Sequence, residues 1–154
     1  MAVTVVDRRG VPADLDDLAR LAELTLAEEG LLGGFEVSIT LVDEAEMARL
    51  NRRYMGGDGP TDVLAFPVED LQPGRLPEPH PDGPPLLLGD VVIAPDYVER
   101  QAAELGVRFS DELRLMLVHG LLHLLGYDHV TRPEAEAMEE RERRILAHVG
   151  VERR

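Results

Sequence analysis

LVHGLLHLLGYDH, residues 117–129, holds three of the chain's five histidines, and the rest of the sequence reads outward from it. His119 and His123 are four residues apart, so on an α-helix they share one face, with Cβ atoms about 5–6 Å apart. Gly126 follows, the residue type best suited to the left-handed conformation that ends a helix and turns the chain back. His129 arrives just past that turn. Three imidazoles therefore converge on one point and leave a fourth position open, which is the ligand count of a catalytic zinc rather than a closed structural one. The chain has no cysteine, so a metal here takes nitrogen or oxygen ligands. The competing reading is a set of core histidines bonded to backbone carbonyls. It fits the spacing poorly, because imidazoles on an apolar helix face need a partner and these three are arranged to share one.

Around this stretch, residues 113–125 are apolar on all sides, which predicts the buried central helix of the fold, with Ser110 as its cap and Asp111 and Glu112 in its first turn. A last helix starts at Thr131, with capping-box spacing to Glu134, and turns Ala135, Met138, Ile145 and Val149 inward. His148, near its end, suits the negative end of the helix dipole. Upstream, LLLGDVVI (86–93) is a buried strand whose Gly89 marks a bulge or a close approach, and a short helix covers 96–105. Seven of the eleven prolines fall in residues 67–85, a flap in which His80 reads as a solvated loop histidine. TDVLAFP (61–67) is a strand and MGGDGP (55–60) a loop. A helix runs from Asp43, which has capping-box spacing to Glu46, to about Tyr54, and residues 35–42 alternate as a half-buried strand. A helix from about Ala13 to Glu29 carries Asp14, Asp16 and Asp17 in its first turn and Leu15, Leu18, Ala22 and Leu26 as its apolar stripe. Residues 2–6 form a short strand. There is no internal repeat, and residues 1–154 read as one domain of about four strands and about five helices.

Composition narrows the class. With 154 residues, 44% of them hydrophobic, the chain can bury a core of its own. No stretch approaches the roughly 18 apolar residues that span a membrane, the N-terminus lacks a signal-peptide run, and the absence of cysteine fits an intracellular protein. A net charge of −14 argues against nonspecific coating of nucleic acid. Residues 131–154 balance six Arg with six Glu, so the acidic excess lies in residues 1–130, with 10 Arg against 24 Asp and Glu. Every basic side chain is Arg, which binds phosphate in a planar, bidentate way.

The pattern H-x-x-x-H-x-x-G-x-x-H also matches the metzincin proteases, but those enzymes carry Glu beside the first histidine as general base. Here that residue is Gly120, which has no group to transfer a proton. A zinc site without that base suits hydrolysis of something other than a peptide. Asp128 is the nearest carboxylate. It orients a ligand histidine or shapes the turn, the commoner use of such a group, or else it handles a proton.

HGLLHLLGYDH (119–129), LNRRY (50–54), PTDVLAFP (60–67) and LGD (88–90) together resemble the YbeY family of bacterial rRNA maturation factors, and the blocks appear in that family's order. The resemblance implies an α+β fold with a small mixed sheet, and one zinc ion held by His119, His123 and His129. It also implies a cytoplasmic, single-strand-specific endoribonuclease acting in 16S rRNA 3′-end maturation and ribosome quality control. Its partners would be RNA and the small ribosomal subunit with its proteins, with no membrane and no DNA. Many members carry Arg directly after the tyrosine of the LN-x-x-Y block, where it is thought to meet RNA phosphate. Here that position is Met55, so Arg49, Arg52 and Arg53 are the nearest replacements, and Ala65 stands where the family often has Ser. Zinc would polarise a phosphodiester oxygen or activate a water, and an arginine would offset charge on the phosphate oxygens, with water and the RNA 2′-hydroxyl both open as nucleophile. A second reading is a ribosome-assembly factor with a largely structural zinc and little catalysis. A metalloprotease ranks last because of Gly120.

Overall fold

The computed structural model describes residues 2–9 and 14–154. In chain order the elements are β1 (Ala2–Asp7), α1 (Leu15–Glu28), β2 (Phe35–Leu41), α2 (Glu44–Leu50), β3 (Val63–Pro67), β4 (Leu86–Ile93), α3 (Pro95–Leu105), α4 (Phe109–Leu124) and α5 (Arg132–Ala147). The four strands form one sheet in the order β1-β2-β4-β3, with β1, β2 and β4 parallel and β3 antiparallel to β4. Among the described residues, five α-helices on a four-stranded mixed sheet make a single α+β domain, as the sequence predicts.

Alternation sorts the strand residues onto two faces. Phe35, Val37, Ile39 and Leu41 of β2 join Val91 and Ile93 of β4 in the main core with α1, α4 and α5. Val92 of β4 and Leu64 of β3 belong to a smaller cluster with Val42, Met47 and Ala94. Strand β4 is thus covered on both sides, which accounts for its continuous apolar run. Helix α4 touches α1, α3, α5, β3 and β4, and its residues 115–118, 120–122 and 124 are buried. It is the central helix that its all-round apolar sequence implies.

Both expected roles of Gly89 are realised at once. The register slips beside it, so that Leu87 pairs with Glu36 but Gly89 with Val37. Its φ is +142°, and a Cβ there would lie 2.3 Å from the Phe66 carbonyl oxygen of β3. The bulge and the close contact seat β3 next to α4.

Several boundaries differ from the sequence reading, each for a local reason. The helix start expected near Ala13 lies outside the described residues. Asp14 is the cap of α1, not part of its first turn, and its carboxylate accepts the Asp17 N–H at 3.0 Å. Helix α2 stops at Leu50 and widens into a π-helical turn over Asn51–Met55, because the Asn51 side chain donates to the Gly59 carbonyl at 2.9 Å and ties the turn to the glycine-rich loop. Strand β3 starts at Val63, since the Asp62 carboxylate takes the Val63 N–H at 2.7 Å. Ser110 does not cap α4: the helix begins one residue earlier, and Arg108 holds the cap position without a side-chain bond. Thr131 caps α5 as expected, accepting the Glu134 N–H at 3.3 Å. The helix ends at Ala147, however, so Val149 is exposed, and Val151 takes the buried place.

Candidate metal centre

Helix α4 carries His119 and His123 on one side of its last two turns, and the chain reverses at Gly126 to bring back His129. Gly126 has φ +98°, and a Cβ would meet the Leu71 carbonyl oxygen of the proline-rich segment at 2.2 Å. Only glycine fits that turn. The result is a triad of imidazoles in which one nitrogen from each ring lies within 4.8 Å of the other two, with His119 and His123 half-buried and His129 exposed. The Nε2 atoms of His119 and His123 are 3.1 Å apart. Two nitrogens held by one tetrahedral zinc at about 2.0–2.1 Å lie about 3.4 Å apart, so the donor set fits a divalent cation that takes nitrogen ligands.

The sequence did not point to Glu142. It sits on α5, is 1% exposed, and its Oε2 lies 2.8 Å from His119 Nδ1. With Nδ1–H donating to that carboxylate, the Nε2 lone pair of His119 is left for a metal, the arrangement usual for metal-binding histidines. Glu142 Oε1 accepts from Arg153 Nε at 2.8 Å. Burial would push this carboxyl up, but the bonds from His119 and Arg153 outweigh it and hold Glu142 below the ordinary carboxylate range. Burial also pushes His123 below the ordinary imidazole value, and the neighbouring His119 and His129 act in the same direction. A depressed imidazole stays neutral, which is the state that ligates. Glu142 was legible in one respect: it lies four residues after Met138 and three before Ile145, on the inward stripe of its helix.

A cavity of about 670 Å³ opens over the triad. Besides histidines, its ionisable lining contains five carboxylates and, among the described residues, two arginines, Arg153 and Arg154. Asp128 is one of the carboxylates; its Oδ1 accepts the backbone N–H of His129 at 2.8 Å, so it shapes the turn and bonds to no histidine ring. Tyr127 also lines the cavity, but burial and its bond to Glu29 push its hydroxyl up to about 12, which keeps it protonated. Met55 reaches the lining, whereas Arg52 and Arg53 lie exposed on the π-helical turn outside it. Arg49 is paired with Glu46 at 4.0 Å. Gly120 packs against the sheet, where a Cβ would meet Val91 Cγ1 at 2.7 Å, leaving no room for the glutamate of a metzincin. The two remaining histidines stand apart from the centre. His80 is exposed and its Nδ1 accepts the Asp82 N–H at 3.2 Å, and His148 caps α5 and lies 3.2 Å from Glu28.

The family described as Endoribonuclease YbeY matches residues 9–150. The Endoribonuclease YbeY of Acidothermus cellulolyticus is 46% identical over 148 residues, spanning 96% of this chain and 86% of its own length. That of Moorella thermoacetica is 47% identical over 139 residues, spanning 90% and 88%. A solution structure of a Thermotoga maritima protein superposes with a TM-score of 0.59 at 26% identity, covering 96% of this chain and 91% of the other. Among the described residues no helix is long and apolar enough to cross a membrane.

Proposed function

The chain belongs to the Endoribonuclease YbeY family, and from that premise we propose that it is a zinc-dependent endoribonuclease cutting single-stranded RNA in the cytoplasm. Its role would be 16S rRNA 3′-end maturation and late quality control, in contact with the small ribosomal subunit. The observation that carries the metal-dependent reading is the triad itself: three imidazole nitrogens within 4.8 Å, with a buried carboxylate 2.8 Å from the Nδ1 of His119. His119, His123 and His129 would hold one zinc ion. When bound, zinc supplies Lewis acidity toward oxygens of the scissile phosphodiester. The chain's own residues do the rest. Glu142 keeps the proton of His119 on Nδ1, and Asp128 fixes the turn that presents His129 while lining the cavity beside it, where a carboxylate can accept a proton. Arg52 and Arg53 guide the strand toward the mouth from the π-helical turn.

A single preparation tests this reading. Wild type, His119→Ala and His123→Ala are assayed together for metal content and for cleavage of a single-stranded RNA. One equivalent of zinc with cleavage in wild type, both lost in the variants, is the expected result; wild type that purifies and reconstitutes without metal overturns it.

One observation favours the second reading, an assembly factor with an inert zinc. Both arginines lining the cavity are tied to buried carboxylates, so phosphate finds little free positive charge there. That reading expects zinc bound without cleavage, and ribosome association that survives loss of the histidines.

A further inference from the structure

Two glutamates are almost wholly buried, Glu112 on α4 and Glu142 on α5, each 1% exposed. Carboxylates taken out of water need partners. Both receive one from the same short segment. After α5 the chain folds back, Val151 is buried, and its N–H donates to the Leu146 carbonyl at 3.0 Å. The next residues then deliver Arg153 Nε to Glu142 Oε1 at 2.8 Å, and Arg154 Nε and Nη2 to Glu112 at 2.7 and 3.0 Å. Arg153 Nη1 also donates to the Arg154 carbonyl at 2.7 Å, which braces the segment.

The two arginines differ in what stands behind their carboxylates. Beyond Glu112 lies Gln101, whose amide donates to it at 2.7 Å. Beyond Glu142 lies His119 Nδ1, at 2.8 Å. We propose that Arg153 is a positioning residue for the metal centre. By occupying Oε1 it fixes the plane of the Glu142 carboxylate, so that Oε2 receives the Nδ1–H of His119 and Nε2 keeps its lone pair toward His123 and His129. Arg153, outside residues 9–150 that the family match covers, thereby completes the site. This inference rests on the metal reading of the triad.

Charge alone makes the opposite prediction. Arg153 lines the cavity, so as a cation close to a dication it repels it, and its removal would tighten metal binding. A positioning role requires removal to weaken it. The sign of the change separates the two.

The probe is Zn2+ itself, titrated into the full chain against a chromophoric chelator, with Co2+ absorption as a report on ligand geometry and circular dichroism as a check on folding. Arg153→Met is expected to bind about 10- to 100-fold more weakly than wild type, the usual effect of losing a group that orients a ligand. Arg154→Met should stay within about threefold, although it removes the same charge from the same cavity. In a Glu142→Gln background, Arg153→Met should add little further loss, because the group it acts through is already altered. If Arg153→Met does not fold without metal, Arg153→Gln and Arg154→Gln carry the same comparison, and the former should still be the weaker binder. Unchanged or tighter binding on loss of Arg153, or losses that simply add in the double variant, overturns the proposal while leaving the triad intact. Wild type that binds no zinc removes the metal reading first and the proposal with it.

Discussion

His123 is half-buried beside two other imidazoles, and its proton affinity is depressed by that burial first and by its neighbours second. In the unfolded chain it returns to the ordinary value of 6.5. As pH falls through that value the unfolded state takes up a proton before the folded state does, so stability present above about 6.5 is lost as pH drops toward the depressed folded value. With metal stripped by a chelator, the urea midpoint of wild type should therefore decline below neutral pH, and His123→Gln should flatten that decline. Identical slopes for the two proteins would show that His123 is not shielded as its surroundings indicate. The clustering of the three histidines was readable in advance because their geometry is local: an i, i+4 pair and a glycine turn lie within eleven residues. Glu142 was not, since its meeting with His119 spans 23 residues and depends on how α5 docks on α4. Arg153 and Arg154 escaped notice for the same reason, as they reach the cavity only after the chain folds back past Val151.

Elements were legible wherever one periodicity held, as in the alternation of β2 and the all-apolar α4, and their ends were lost where a side chain competed with the backbone. Asp62 and Asn51 each satisfy a neighbouring backbone group, and each moves a boundary. The turn after α4 carries His129 and lines the cavity from Gly126 onward. It packs at Gly126 against backbone atoms of Leu71 and Gln72, so the proline-rich segment and the turn bearing His129 support each other. Gly126→Ala would strain a positive φ and press a methyl group onto a carbonyl oxygen that cannot swing aside. A positive φ on a non-glycine residue costs roughly 1–2 kcal/mol and overpacking about 1–3 kcal/mol. The variant should lose stability on that order in urea denaturation, and it should bind zinc more weakly, because the strain is relieved by moving His129. Stability lost with zinc affinity unchanged would mean that the proline-rich segment yields instead and the turn holds.

Net charge bears on substrate capture by the whole molecule. The chain carries −14, and many of its arginines are already spoken for: Arg9 by Asp7, Arg100 by Glu44, Arg114 by Asp17, Arg141 by Glu29, and Arg153 and Arg154 by the two buried glutamates. Arg52 and Arg53, by contrast, are exposed, and among the described residues neither has a carboxylate within ion-pair distance; Arg53 lies over the Tyr54 ring at 5.3 Å. Two cations beside the cavity-lining Met55 release few counterions. For a single strand each neutralised phosphate contributes about −0.7 to the slope of log K against log salt, so two contacts give about −1.4. Binding of a single-stranded RNA should thus weaken only gently with salt. On the proposed role of guiding the strand from outside the cavity, Arg52→Ala/Arg53→Ala should lower the slope and raise KM more than it lowers kcat. A slope several times steeper would bring in other exposed arginines such as Arg20, Arg75, Arg108 and Arg144, and would move the search for the RNA path away from the π-helical turn. A shallow slope unaffected by the double variant would place capture with a ribosomal partner, which is where a strongly acidic nuclease gains most from being delivered to its substrate.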